Sequence, residues 1–227
     1  MSLEKTLYKR SNFRFFKQDV IPKKEDIQNI LKKSIELAPI KNDIWHFSID
    51  VYGPSWFKEK DDLCIRTVCN SETNKLPWEE QVKLYEKYKE DPKKVLDGFQ
   101  RYNSQVLAPY LLVYRKKPFH YDKRPKFLNK QYPYSKDVAA YGPAIHSYVV
   151  SILANDIGID ASFCKCNQDP EKITHTPLNT ILQNKDPYLM LGLGYADTDI
   201  NMKVDGTLKK RRQLMRPELD DVIEWHE

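Results

Sequence analysis

The sequence is short of glycine and cysteine, and it has no long hydrophobic run. Only 7 glycines and 4 cysteines occur in 227 residues, so each glycine is expected to mark a bend or a close approach. The longest apolar stretches, Ala144–Leu153 and Tyr188–Leu193, are much shorter than the roughly 20 residues that a membrane-spanning helix needs. The sequence therefore predicts no membrane partner.

The four cysteines follow neither a zinc-binding pattern nor a secreted disulfide pattern. Cys164 and Cys166 are separated by one residue, Cys64 and Cys69 lie far away in the sequence, and no histidine has the spacing of a zinc finger. Residues 1–10 contain no apolar signal core. We therefore expect reduced thiols, no metal site and a cytoplasmic location.

What is present is the composition of a folded protein. Hydrophobic residues make up 41%, aromatic residues 12% and charged residues 30%, which argues against a disordered chain. The chain has no repeat and no Gly/Ser linker, so residues 1–227 are predicted to form a single domain. The net charge of +5 is spread over many lysines, which is more typical of a solvated surface than of a nucleic-acid-binding face.

Apolar spacing predicts helices interleaved with strands. A helix is predicted over Glu25–Leu37, ended by Ala38-Pro39, and a half-buried strand follows it and closes at Gly53-Pro54. The predicted helix face comprises Ile27, Ile30, Leu31 and Ile35, and the strand alternates at Phe47, Ile49 and Val51. This pattern supports a mixed α/β or α+β domain without selecting one of them.

Further along the chain, Leu63–Val68 and Val106–Tyr114 are predicted as strands, and Pro109 indicates an edge or a bulge in the second. A core helix follows and ends at Gly158, in the position of a left-handed cap. Tyr188–Leu193 is predicted as a buried strand. The predicted core face of the helix comprises Ala140, Ala144, Ile145, Tyr148, Ile152 and Leu153.

The histidines do not form a recognisable catalytic pattern. The chain contains no G-x-S-x-G, Walker or G-x-G-x-x-G motif, and no histidine has a nucleophile at a known spacing. His146 lies in the predicted core helix and is interpreted as a packing residue. We therefore predict no side chain as a catalytic acid, base or nucleophile.

Two basic clusters and one polar turn remain as candidate binding segments. In Arg10–Phe16, alternating Arg10, Asn12 and Arg14 suit a phosphate, because a guanidinium matches phosphate oxygens, although an exposed basic arm is the alternative. Lys209–Arg212 is either a second half of that site, a solvated charge run or a nucleic-acid patch. The polar residues within Ala38–Phe47 either reach the edge of a heterocycle or form a simple turn.

The order of these segments resembles the FMN-dependent nitroreductase family over nearly the full length of the chain. That family opens with R-x-S-x-R-x-F, then I-P, an amphipathic helix and A-P-S-x-x-N before a strand. Its later motifs are an A-P strand, a G-A helix ending in L-G-L, an apolar strand ending in G-Y, and K-x-R. The corresponding segments are Arg10–Phe16, Ile21-Pro22, Ala38–Phe47, Ala108–Leu112, Gly142–Ala144, Ile157–Ile159, Leu191–Tyr195 and Lys210–Arg212.

The resemblance implies an α+β nitroreductase-like fold, with a central and mostly antiparallel sheet flanked by helices, and an intertwined homodimer with two FMN sites at the subunit interface. Asn42 or Asp43 matches the residue that touches the flavin ring. Cys164 and Lys165 belong to the segment whose backbone groups face flavin N5. The matches to the phosphate and ribityl contacts are Arg10, Ser11, Asn12, Arg14, Lys210 and Arg212.

The chain departs from the family at two of these positions. Asn12 stands where the family has Ser, and either side chain can bond a phosphate. Aligning Phe47 with the family's aromatic residue places Asp43 at the ring-contacting position, whereas aligning Trp45 there favours Asn42. An ionised Asp beside the flavin would disfavour its anionic reduced form.

The implied activity is a ping-pong oxidoreductase reaction. NAD(P)H gives a hydride to FMN and is replaced by a small-molecule acceptor such as a nitroaromatic or a quinone. Alternatives within the family are a specialised flavin reaction, such as flavin fragmentation or reductive dehalogenation, and a catalytically silent FMN-binding protein. The alternative from another class is a basic nucleic-acid-binding protein, which predicts strongly salt-dependent binding.

Overall fold

The computed structural model describes residues 13–40, 45–66, 104–116, 136–164, 181–182, 187–197 and 222. The helices and strands in this part of the chain are α1 (Lys24–Leu37), β1 (Phe47–Tyr52), α2 (Phe57–Arg66), β2 (Tyr110–Lys116), α3 (Lys136–Asp156), β3 (Asp160–Cys164) and β4 (Leu189–Gly194). Short 3-10 turns at Pro54–Trp56 and Ser104–Leu107 precede α2 and β2. None of the helices in these ranges is long and apolar enough to cross a membrane.

The four described strands form one antiparallel sheet in the order β1-β2-β4-β3. Tyr114 of β2 is paired with Ile49 on one side and Leu189 on the other, so β2 is an interior strand. Of the two alternatives predicted at Pro109, an edge or a bulge, the edge is therefore wrong. The strand begins at Tyr110, after the proline, so the missing N–H lies outside the ladder.

Hydrophobic clusters cover both faces of the sheet. Alternate residues of a strand point to opposite faces, so Leu112 and Tyr114 pack in one cluster while Leu111 and Val113 pack in the other. The first cluster also holds side chains of α1 and α3, and the second holds side chains of α2 and Ile181. Six of the seven residues of β2 are consequently buried.

The helix α2 replaces the strand predicted at Leu63–Val68. Leu63 and Cys64 are fully buried, but they lie on a helix that begins at Phe57, and residues 67–68 are outside the described residues. Lys60 of the same helix is also fully buried and donates to the carbonyl oxygens of Ala108 and Pro109 over 2.7 and 2.9 Å. Burial lowers the pKa of this ammonium to about 8.

The sequence predicts the ends of the helices better than it predicts which of their faces are buried. The N–H of Ala38 bonds to Ser34 O and ends α1, and Gly158 has the positive φ of 82° that a left-handed cap requires. The predicted core face of α3 is wrong, because Ile145 and Tyr148 are 37% and 42% exposed. The residues buried on α3 are Pro143, His146, Ser147, Val150, Ser151, Ala154 and Asn155.

Small side chains explain why α3 buries a different face from the predicted one. The hydroxyls of Ser147 and Ser151 donate to the carbonyls three residues earlier, so they can be buried without unpaired donors. Small residues bring the helix close to the sheet, which leaves the larger apolar side chains on the other side. The same holds for α1, where Ser34 is buried and Ile35, predicted on the core face, is 57% exposed.

Candidate functional site

The segment that follows the first basic cluster is joined to the end of β4. The N–H of Lys17 donates to Tyr195 O over 2.8 Å, and the N–H of Asp197 donates to Phe15 O over 3.0 Å. These bonds surround an antiparallel bridge between Phe16 and Ala196. Arg14, which is half-buried, therefore lies beside the chain that leaves the sheet at β4.

Two buried phenylalanine side chains and the side-chain amide of Gln18 hold the segment around Arg14 in place. Phe15 and Phe16 are 1% and 2% exposed. Gln18 Nε2 donates to Phe16 O over 3.0 Å and to Leu107 O over 3.1 Å, which connects the segment to the turn before β2. The backbone next to Arg14 is thus fixed by contacts to two separate parts of the fold.

The chain after β4 is fixed from the other side by Asp160. The Asp160 carboxylate accepts the N–H of Ala196 over 2.8 Å. Burial raises the pKa of Asp160, and the Ala196 hydrogen bond opposes that rise. A glycine is required at position 194, because a Cβ there would lie 2.5 Å from Pro109 Cδ and 3.0 Å from the Phe16 ring.

A second arrangement of polar groups lies in the core, around His146. Its Nε2 is 2.9 Å from Ser34 Oγ and its Nδ1 is 3.0 Å from the Tyr114 hydroxyl. Ser34 Oγ already donates to Leu31 O over 2.7 Å, so it accepts from Nε2–H, and Nδ1 accepts from the tyrosine. Burial lowers the pKa of His146 to about 4, which keeps the ring neutral.

Aromatic rings at the start of β1 enclose His146. The Trp45 ring meets the imidazole edge-on at a centroid distance of 5.3 Å, and the Phe47 ring lies 5.7 Å away. Trp45 and Phe47 also contact each other at 5.1 Å. Trp45 directly follows the segment 41–44, in which the sequence places the candidate ring-contacting residues.

Comparison with known proteins identifies the fold. No protein-family model matches the sequence, and no curated protein matches it. The FMN and NADPH-dependent nitroreductase NfnB from Sphigopyxis sp. strain HMH is similar in structure, with a TM-score of 0.60 and 15% identity over 100% of both chains. A nitroreductase with bound FMN from Desulfitobacterium hafniense DCB-2 has a TM-score of 0.54 and 16% identity, again over 100% of both chains. The nitroreductase family protein from Streptococcus pneumoniae TIGR4 has a TM-score of 0.57 and 14% identity over 99% of this chain and 100% of its own.

The chain has the nitroreductase fold. The predicted α+β class with a central antiparallel sheet is confirmed by this similarity and by the strand order of the described sheet. The likeness extends over essentially the whole chain, although identity stays at 14–16% in these three comparisons. At that level of identity the comparisons establish the fold.

Two of the ten predicted contact residues lie in the described part of this nitroreductase fold. Arg14 is in the segment beside β4, and Cys164 is the last residue of β3. The other eight lie outside the described residues: Arg10, Ser11, Asn12, Asn42, Asp43, Lys165, Lys210 and Arg212. Within the described ranges, no group of three or more His, Cys, Asp or Glu could hold a metal ion.

The structure does not bring Arg14 and Cys164 together. Arg14 lies near Ala196, which bonds to Asp160 at the first residue of β3, whereas Cys164 lies at the last. Four residue steps along a strand separate these ends by roughly 13 Å. The Cys164 thiol is 4% exposed and packs in the cluster beneath α2, so only its backbone remains a candidate contact.

The polar partners of His146 were not predicted from the sequence. Position 34 falls on the same helical face as Ile27, Ile30 and Leu31, at the spacing that places residues on one side of a helix. A serine within an otherwise apolar face indicates a buried hydroxyl that needs a partner. That signal was available in the sequence, whereas the pairing with Tyr114 and His146 depends on the tertiary fold.

Proposed function

We propose that this protein binds FMN and acts as an NAD(P)H-dependent oxidoreductase that reduces a nitroaromatic, a quinone or a similar acceptor. The observation that carries the proposal is the nitroreductase fold over the full chain, with Arg14 held beside the end of β4. The similar structures include one named as FMN and NADPH-dependent and one named as having bound FMN.

Arg14 fits the phosphate end of FMN by its chemistry. A guanidinium offers paired donors that match phosphate oxygens, and the fixed backbone beside it reduces the entropy lost on binding. Arg10, Ser11, Asn12, Lys210 and Arg212 are the further residues that we propose for the phosphate and the ribityl chain. Both basic clusters would then contribute to one anion site.

The ring end of FMN is assigned to two other segments. We propose that Asn42 or Asp43 contacts the ring, and that the backbone of Cys164 and Lys165 faces N5. FMN held by these residues would supply the hydride-transfer chemistry between NAD(P)H and the acceptor, in ping-pong order. The side chains of the protein bind and orient, and none is assigned as an acid, a base or a nucleophile.

The exposed side of α3 supports a homodimer. Tyr141, Ile145 and Tyr148 are 62%, 37% and 42% exposed, and their spacing places them on one helical face. Apolar residues grouped on one side of a helix are typical of a protein–protein interface. Tyr148→Glu should therefore yield a monomer in light scattering at a concentration where the wild type is a dimer. A monomeric wild type would contradict the proposed dimer.

The visible absorption spectrum of the purified protein tests the cofactor. We expect a flavin spectrum after incubation with FMN, and oxidation of NAD(P)H when a nitroaromatic or a quinone is added. A protein that takes up no FMN contradicts the proposal. Flavin bound without turnover indicates a silent flavoprotein, and loss of flavin under oxygen indicates flavin fragmentation.

Arg14→Ala tests the phosphate contact. Losing a charged hydrogen-bond donor costs about 1.5–3 kcal/mol, which corresponds to a fall in FMN affinity of roughly 10- to 100-fold. Lys32→Ala is the matched control, because it removes the same charge from an exposed position on α1. Riboflavin lacks the phosphate, so its affinity should change equally little in both variants. Equal FMN affinities in the two variants would contradict the role of Arg14.

A further inference from the structure

Tyr114 and His146 form a hydrogen-bonded pair that the proposed function does not use. Both side chains are fully buried, and the tyrosine hydroxyl lies 3.0 Å from Nδ1 of the imidazole. Nδ1 is the acceptor, because Nε2–H donates to Ser34 Oγ on the other side of the ring. A base that removes a proton must lie within hydrogen-bond reach of it. The pair therefore has the geometry for a proton transfer from Tyr114 to His146.

Two aromatic rings extend this pair towards the surface. The Phe47 ring lies at centroid distances of 5.8 Å from Tyr114 and 5.1 Å from Trp45. The Trp45 ring also meets the imidazole of His146 edge-on at 5.3 Å. Trp45 is half-buried, whereas Phe47 is only 4% exposed. A continuous series of ring contacts thus leads from a partly exposed tryptophan to the buried tyrosine.

We propose that Tyr114 and His146 form a redox-active tyrosine site, which takes up the oxidising equivalent when a radical oxidises Trp45. The oxidant is an oxygen-centred radical or another one-electron oxidant that reaches the indole, and it is reduced by one electron. An electron then passes from Tyr114 to the Trp45 radical cation by way of the Phe47 ring. The phenolic proton passes to His146 Nδ1. The products are a neutral tryptophan, a neutral tyrosyl radical and an imidazolium.

The hydrogen bonds of His146 favour this transfer. A phenol that has lost an electron is a strong acid, so a buried tyrosine is oxidised readily only where a base takes the proton. After the transfer, Nδ1–H donates to the tyrosyl oxygen and Nε2–H still donates to Ser34 Oγ. Both nitrogens of the imidazolium are therefore paired, which limits the cost of placing its charge in the core.

Tyr52 is a matched tyrosine that lacks such a base. Its ring contacts Trp56 at a centroid distance of 5.1 Å, and Trp56 is 37% exposed. Its hydroxyl, however, lies 3.4 Å from the carbonyl oxygen of Ile181 and accepts a hydrogen bond from Arg115 over 3.0 Å. Neither a carbonyl nor a guanidinium takes up a proton. We therefore expect the radical to collect on Tyr114 and not on Tyr52.

Pulse radiolysis of the purified protein with the azide radical tests the transfer. The azide radical oxidises tryptophan faster than tyrosine, and the absorption spectrum then follows the decay of the tryptophan radical and the growth of the tyrosyl radical. We expect a fast first-order phase of tyrosyl formation whose rate is independent of protein concentration. Tyr114→Phe and Trp45→Phe should each remove this phase, and Tyr52→Phe should retain it.

His146→Gln separates the base from the hydrogen bond. The glutamine amide oxygen accepts a hydrogen bond from the Tyr114 hydroxyl but does not take up its proton. Since a positioned base contributes about 100- to 10,000-fold to a proton transfer, we expect the fast phase to slow by at least about 100-fold. Asn155→Leu is the matched control and should keep the wild-type rate. Asn155 is also buried on α3, but its bonds to the carbonyls of Ser151 and Ile159 lie apart from the aromatic series.

Urea unfolding first establishes that each variant is folded. A fast phase that persists in Tyr114→Phe, or that is as fast in His146→Gln as in the wild type, overturns the proposal. If His146→Gln does not fold, the wild type is refolded in D2O, where a transfer coupled to a proton should be slower than in H2O. Equal rates in the two solvents overturn the proposal as well. These measurements do not require bound FMN, so they leave the proposed function to its own test.

Discussion

Acid should destabilise this protein through His146. The imidazole is fully buried, and its contacts Ser34, Tyr114, Trp45 and Phe47 carry no charge that could stabilise an imidazolium. Burial raises the pKa of Tyr114, so its hydroxyl stays protonated and donates to Nδ1. Protonation of Nδ1 would remove the acceptor of this hydrogen bond, so that two donors, Nδ1–H and the Tyr114 hydroxyl, would face each other.

The size of the effect follows from the two pKa values. The pKa of His146 is lowered from 6.5 to about 4 in the folded protein. Between these values the unfolded chain binds more protons than the folded one, so stability is lost as the pH falls from about 6.5 to about 4. At about 1.4 kcal/mol per pH unit, the complete loss is roughly 3 kcal/mol. This is a large part of the 5–15 kcal/mol that holds a typical domain folded.

Urea unfolding of the wild type and of His146→Gln at several pH values measures this effect. Carboxylates titrate in the same range in both proteins, so their contribution cancels in the difference between the two free energies of unfolding. We expect that difference to shift by about 2 kcal/mol in favour of the variant between about pH 7 and pH 5. A difference that is independent of pH would refute the reasoning, because it would mean that His146 titrates alike in the folded and unfolded states.

Two further predictions concern the framework of the site. Gly194→Ala should destabilise the protein by about 1–3 kcal/mol, because the added carbon would lie 2.5 Å from a proline carbon, whereas Gly53→Ala, with its nearest neighbour at 3.6 Å, should cost much less. Similar urea midpoints for the two variants would count against this. Arg115→Met should cost more than about 2 kcal/mol, because Arg115 pairs with a carboxylate and donates to two carbonyls of residues 181–182. Lys116→Met, on the exposed end of the same strand, is the control, and equal stabilities would exclude this role of Arg115.

Local chemistry made some elements predictable. Gly158 ends α3 because only a residue without a side chain adopts a positive φ at little cost, and that requirement is visible in the sequence. Apolar periodicity also identified α1 and β1. These signals depend on neighbours within a few residues, so one sequence suffices to read them.

Tertiary packing decided the features that the sequence did not reveal. Ile145 and Tyr148 are as apolar as core residues, yet the serines of α3 face the sheet, because their hydroxyls are satisfied within the helix. Leu63 and Cys64 form part of a helix, and their short apolar run did not distinguish it from a strand. At the site, the basic character of Arg14 was visible in the sequence, but the bridge that fixes its segment joins Phe16 to Ala196, 180 residues further along the chain.

The bridge between Phe16 and Ala196 also affects the order of assembly. Synthesis proceeds at roughly 5–20 residues per second, so residue 197 follows residue 17 by about 10–40 s. Throughout that interval Phe16 lacks the end of β4, whose Gly192 and Gly194 lie next to its ring. The backbone contacts beside Arg14 therefore form only after the four described strands have been synthesised. Binding of an anion at the proposed phosphate site would then indicate that residues 15–17 have docked against the end of β4.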